Sequence, residues 1–131
     1  MEDDFNQFLE QLIEAITRVD ANYINITVNE LRNEIYRERV FCYELYHQLR
    51  NLLGDNYKYM LDGELDKKAH PVISPKIPDF VIHYRGEMEY NLAIIEVKTI
   101  KSILDSITKL EDNLDKIIDF LEEGEYHYGI M

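Results

Sequence analysis

The sequence predicts a single α/β domain in which helices flank a mixed β-sheet. Apolar residues recur at helical spacing near both ends of the chain, whereas short β-branched runs separated by turns fill the middle. The segments follow the order helix, helix, three strands, helix and strand, which is typical of a sheet covered by helices. The 131 residues are enough for one hydrophobic core and too few for two.

Two helical segments open the chain. Residues 4–19 carry apolar side chains every three to four positions and acidic residues in the first turn, which favour the positive end of the helix dipole. A second apolar stripe predicts a helix over residues 28–53, with Thr27 and Glu30 as a capping box and Gly54 as the stop. Residues 1–26 are therefore expected to be a helical addition to a core of residues 27–131.

Three strands are predicted next. Residues 57–65 form the first of them. Pro78 precedes a second strand at residues 79–84, a position where proline is tolerated. The tripeptide Arg85-Gly86-Glu87 supplies the turn into a third strand at residues 90–99.

The last part of the chain returns to helical spacing. From Ser102 the apolar residues recur with a helical period, and Gly124 ends that helix. Residues 126–131 then form a final strand.

The net charge and the cysteine content limit the classes of protein to which this chain could belong. The formal net charge of −12 argues against a general nucleic-acid coat protein. The acidic excess lies in the terminal helical segments, whereas residues 31–101 carry eleven basic and eleven acidic residues, so the middle can face a polyanion. The single cysteine, Cys42, fits a reducing cytoplasm. No basic signal-peptide start and no apolar run of about 20 residues is present, so a cytoplasmic protein without a membrane segment is expected.

The third strand breaks the apolar pattern of a buried strand. Its run Leu92-Ala93-Ile94-Ile95 ends in Glu96-Val97-Lys98. Because side chains alternate along a strand, Glu96 and Lys98 share a face, and burying either charge alone is costly. Asp79 opens the neighbouring strand. Two carboxylates and the Val97 carbonyl would make an all-oxygen site that suits Mg²⁺, with Mn²⁺ as a substitute, and a nearby lysine can help deprotonate an attacking water.

Pro78-Asp79 followed by Glu96-Val97-Lys98 resembles the motif of the PD-(D/E)xK, or restriction-endonuclease-like, nucleases. The resemblance covers residues 40–131 and implies an α-β-β-β-α-β core and Mg²⁺-dependent hydrolysis of DNA rather than RNA. It implies that Asp79 and Glu96 are metal ligands and that Lys98 is the catalytic lysine. Glu44, on the helix before the first strand, corresponds to an accessory carboxylate of the family, with Glu64 as the alternative.

Substrate binding is assigned to three basic residues, Lys67, Lys68 and Lys101. The chain has no recognition helix or zinc finger, so substrate choice is expected to come from loops, from a homodimer or from a partner protein. Other interpretations stay open. The same fold could serve as a noncatalytic module that binds a protein, or an acidic regulator could mimic nucleic acid. Glu96 and Lys98 could also form a structural ion pair while Asp79 caps a turn.

Overall fold

A computed structural model describes residues 1–27, 34–64, 77–85 and 87–131. The chain forms two compact units, one of Glu2–Asn56 and one of Tyr57–Met131 together with Met1. The predicted division at residue 26 into an addition and a core stays a prediction. Within the described ranges, no helix is both long and apolar enough to cross a membrane.

The unit Glu2–Asn56 is a pair of helices with a small hairpin. Helix α1, Glu2–Arg18, packs against helix α2, Glu38–Leu53. Between them, strands β1, Asn25–Thr27, and β2, Glu34–Tyr36, pair antiparallel. The buried apolar residues of the two helices and of the segment that follows α1 are Phe8, Leu12, Ala15, Val19, Leu45 and Leu49.

The prediction of a helix over residues 28–53 is wrong at its N-terminal end. Residues 34–36 form β2, Thr27 lies in β1 rather than at a helix cap, and α2 begins only at Glu38. Residues 28–33 lie outside the described part of the chain. Both short strands contain a β-branched residue, which favours extended backbone, and their pairing supplies the hydrogen bonds that a helix would otherwise make. The predicted end is confirmed, because Gly54 has a φ of 72° and its N–H donates to Arg50 O.

The second unit contains a four-stranded mixed sheet. Its strands are β3, Met60–Gly63; β4, Phe80–His83; β5, Ala93–Ile95; and β6, Tyr128–Ile130. They lie in the order β3-β4-β5-β6, with the first two pairs antiparallel and β5 parallel to β6. The predicted α/β class and mixed sheet are confirmed. Each strand lies within its predicted range but is shorter than that range.

The helix predicted from Ser102 to Gly124 is two helices in the structure. Helix α3 is Ile100–Asp105 and helix α4 is Ile107–Glu123. The Thr99 hydroxyl accepts a hydrogen bond from Ser102 N, and the Ser106 hydroxyl accepts one from Lys109 N. Thr99 thus caps the first turn of α3, whose amides have no partner within the helix. Ser106 satisfies the Lys109 amide, which an unbroken helix would bond to a carbonyl, so Ser106, in extended conformation, starts a new helix.

Helix α4 packs directly on β6 and covers one face of the sheet. The core at this contact consists of Val81, Ile94, Ile117, Phe120 and Tyr126. Strands β4 and β5 are buried along their full length. Polar side chains at the ends of these two strands therefore enter a largely dehydrated region, and this region contains the candidate site.

Candidate active site

Asp79 joins the start of β4 to the end of β5. Its Oδ2 accepts a hydrogen bond of 2.7 Å from Val97 N. Its carbonyl accepts a hydrogen bond of 2.9 Å from Glu64 N, which extends the β3–β4 pairing by one step. The backbone thus fixes Asp79 on one side, and its side chain contacts the backbone of the Glu96-Val97-Lys98 segment on the other.

Glu96 follows β5 and is almost completely buried, with 2% of its surface exposed. Its N–H donates to Ile130 O at 2.9 Å, which continues the pairing of β5 with β6. Lys116 Nζ, on α4, lies 2.5 Å from Glu96 Oε1. The two groups form an ion pair. The same ammonium donates a hydrogen bond of 2.7 Å to Ile77 O.

The surroundings of Glu96 set its ionisation. Burial raises the pKa of the Glu96 carboxyl above its ordinary value, and the negative charge of Asp79 raises it further. The positive charges of Lys116 and Lys98 oppose this rise. One other carboxylate and two amines therefore act on the ionisation of Glu96, whereas the sequence predicted one amine only.

The structure brings together three of the predicted site residues, Asp79, Glu96 and Lys98. The amide of Val97 binds Asp79, while a role for its carbonyl as a metal ligand stays a prediction. Glu64 adjoins Asp79 through its backbone amide and has an exposed side chain. Its place as an accessory ligand also stays a prediction.

Glu44 belongs to the other unit, on α2. Its carboxylate accepts a hydrogen bond of 2.7 Å from Gln48 Nε2 and lies 3.3 Å from His47 Nδ1. The hydrogen bond from Gln48 lowers the pKa of Glu44, and His47 lowers it further. These local contacts give Glu44 partners of its own, and its accessory role stays a prediction.

The predicted substrate-binding lysines are only partly described. Lys67 and Lys68 lie outside the described residues. The backbone of Lys101 belongs to α3, which starts two residues after Lys98. All three assignments stay predictions.

Sequence reasoning missed Lys116. The apolar stripe of α4 identified a helix that packs on the sheet, and Lys116 lies on the edge of that stripe, one turn before the buried Phe120. The flexible four-carbon stem of a lysine in that position is long enough to bring its ammonium to a group on a neighbouring element. Only the register of α4 against the sheet shows that Glu96 is the group it meets.

A second, partly buried cluster of polar and charged side chains lies on β3, on β4 and just after β4. The Asp62 carboxylate contacts His83 Nε2 at 2.8 Å through Oδ2, and the Arg85 guanidinium binds both carboxylate oxygens, at 2.5 and 3.1 Å. The hydrogen bonds from Arg85 hold the pKa of Asp62 below its ordinary value, against the effect of burial, and His83 lowers it further. These side chains bind one another across the two strands, so the cluster stabilises the contact between β3 and the end of β4.

The oxygen donors of Asp79 and Glu96 fit a hard divalent cation. Among the described residues, no group of three or more His, Cys, Asp or Glu side chains is arranged to hold a metal ion. Mg²⁺ nevertheless binds proteins through one or two carboxylates and completes its shell with water. The Lys116 ammonium already places one positive charge beside Glu96.

No protein-family model matches this chain, and no curated protein or solved structure matches it significantly. The fold and the site geometry alone therefore define its class. It is an α/β protein whose mixed sheet carries Asp79, Glu96 and Lys98 at the ends of neighbouring central strands, with Lys116 of α4 beside Glu96.

Proposed function

We propose that this protein is a Mg²⁺-dependent nuclease of the PD-(D/E)xK type that hydrolyses phosphodiester bonds in DNA rather than RNA. The observation that carries the proposal is the hydrogen bond from Val97 N to Asp79 Oδ2, which holds the two halves of the motif together. The order α2, β3, β4, β5, α4 and β6, with the short α3 before α4, supports it, because it agrees with the α-β-β-β-α-β core that the motif implies.

The chemistry assigns a role to each side chain. Asp79 and Glu96 would hold the ion, which when bound polarises the phosphate and favours ionisation of the attacking water. Lys98 orients that water and stabilises the negative charge that develops on the phosphate. Water loses a proton to the solvent and forms a bond to phosphorus, while the bond to one ester oxygen breaks and that oxygen leaves as a hydroxyl group after taking a proton from the solvent. Lys67, Lys68 and Lys101 are proposed to bind the phosphate backbone of the substrate.

The test is cleavage of a panel of single-stranded, double-stranded and branched DNA in Mg²⁺ and in Mn²⁺. Lys98→Ala is expected to reduce cleavage at least about 100-fold, the usual cost of removing one group that stabilises the charge of the transition state. Lys109→Ala is the matched control, because Lys109 is an exposed lysine of α4 in the same unit. Equal trace cleavage by wild type and Lys98→Ala would contradict the proposal.

A second candidate is a noncatalytic module that binds a protein partner. It is favoured by three apolar side chains around the start of α4 and on α3, with Ile100 77%, Leu104 78% and Ile107 71% exposed. The ion pair between Lys116 and Glu96 also agrees with a purely structural use of the buried carboxylate. If no substrate in the panel is cleaved and Mn²⁺ does not bind, this candidate replaces the nuclease.

A further inference from the structure

Lys116 connects three parts of the second unit through one ammonium group. Its Nζ lies 2.5 Å from Glu96 Oε1 and donates a hydrogen bond to Ile77 O at 2.7 Å. The Glu96 side chain is 1% exposed and that of Lys116 is 19% exposed. The ammonium therefore neutralises a carboxylate that water barely reaches.

A metal ion on Glu96 and the Lys116 ammonium would compete for the same group. A divalent ion bound by Glu96 and Asp79 would lie close to the ammonium, and two cations so close repel each other strongly where little water screens them. The ammonium has three hydrogen-bond donors and already binds Ile77 O. It can therefore withdraw from Glu96 and keep that partner.

We propose that Lys116 occupies the cation position of the Asp79–Glu96 pair in the metal-free protein and is displaced when a divalent ion binds. This inference rests on the proposed function, because it assumes that the pair holds a metal. Lys116 then acts as an internal competitor that weakens metal binding and keeps Glu96 neutralised until the ion arrives. It is a positioning residue, distinct from Lys98.

The direct test is a calorimetric titration with Mn²⁺ of wild type, Lys116→Met and Lys109→Met. Lys116→Met is expected to bind Mn²⁺ at least about 10-fold more tightly than wild type. This factor corresponds to a wild-type protein in which Lys116 leaves the site free in only about a tenth of the molecules. Lys109→Met controls for the loss of one positive charge on the same helix and should bind like wild type. Glu96→Gln should lose this binding, which distinguishes the site from diffuse binding to acidic helices.

The outcomes separate the two proposals. If wild type binds Mn²⁺ and Lys116→Met binds it equally or more weakly, the displacement is wrong and the metal site stands. If neither protein binds Mn²⁺, the proposed metal site and the displacement are both wrong. If only Lys116→Met binds Mn²⁺, the result supports the proposal, because Lys116 then prevents the ion from binding to wild type.

A second measurement uses the wild-type protein and does not depend on the folding of a variant. An acetylating reagent is added with and without saturating Mn²⁺, and the modification of each lysine is followed by mass spectrometry. Displacement predicts that Lys116 is acetylated several-fold faster in Mn²⁺, while Lys109 reacts at an unchanged rate. An unchanged rate at Lys116 would overturn the inference.

Discussion

The Asp79 carboxylate has two effects that substitution can separate. It accepts the Val97 amide hydrogen, and it places a negative charge near Glu96. Asparagine keeps an acceptor oxygen and removes the charge, whereas alanine removes both. Because Lys116 and Lys98 balance the two carboxylates, the charge of Asp79 should contribute little to stability in metal-free protein.

We therefore expect Asp79→Asn to unfold with a free energy within about 0.5 kcal/mol of wild type, and Asp79→Ala to lose about 1–2 kcal/mol. Urea unfolding in EDTA at neutral pH measures both values. A loss in Asp79→Asn as large as in Asp79→Ala would mean that the charge, and not the acceptor atom, stabilises this part of the fold.

The ionisation of Asp62 should make the free energy of unfolding depend on pH. Its folded pKa lies below the ordinary value of 3.8, mainly because Arg85 binds the charged form. The carboxylate therefore stabilises the fold above pH 3.8, and this contribution is lost as the pH falls through the lower folded pKa. Asp62→Asn should cost about 1–3 kcal/mol near neutral pH and progressively less below that value.

Unfolding free energies of wild type and Asp62→Asn between pH 3 and pH 7 test this expectation. Asp105→Asn serves as the control, because Asp105 is an exposed aspartate at the end of α3. Its difference from wild type should stay small across the series. A constant difference for Asp62→Asn down to the lowest pH would contradict the ionic origin of the effect.

At the level of elements, the contact between α4 and β6 depends on a glycine. A Cβ at Gly129 would lie 2.3 Å from Ile117 Cγ2, so β6 and α4 could not keep their present distance. Gly129→Ala should cost about 1–3 kcal/mol, the usual penalty of overpacking a core. Ile117→Ala removes the clashing methyl group, so the double variant should lose less stability than the sum of the two single variants.

Gly54→Ala provides a contrast with a different physical origin. No atom lies within 4 Å of its added Cβ, but the φ of 72° disfavours a side chain. Its cost should be about 1 kcal/mol and should not change when Ile117 is shortened. Denaturant unfolding of the five variants decides the matter, and full additivity at Gly129 and Ile117 would refute the close contact.

The helices and strands also show where the spacing of apolar residues is enough to predict an element. The spacing of apolar residues is sufficient to predict helices α1 and α4, because one face of each helix must be buried. The break at Ser106 was not predicted, because a serine between two apolar turns fits a continuous helix as well as a cap. The hairpin of β1 and β2 was not predicted either, because Ile35 also fits the apolar stripe of a helix.

At the level of the whole molecule, the net charge of −12 should make stability and DNA binding respond oppositely to salt. Salt screens repulsion within the acidic chain, so the melting temperature should rise between about 20 mM and 300 mM NaCl. The proposed binding to DNA through lysines should weaken over the same range, because release of counterions from the phosphates is less favourable in concentrated salt. Thermal melts and fluorescence anisotropy with labelled DNA measure the two trends, and DNA affinity independent of salt would contradict phosphate contacts.

The sequence by itself determined the α/β class, the order of the main helices and of the sheet strands, and the proximity of Asp79 to Glu96-Val97-Lys98. These features depend on local periodicity and on the pairing of neighbouring strands, which short stretches of sequence encode. Only the tertiary structure decided that Lys116, twenty residues beyond Glu96, supplies its counter-ion. That contact depends on the register of α4 against the sheet, which is fixed by the packing of Gly129, Ile117 and the surrounding core and not by any local pattern.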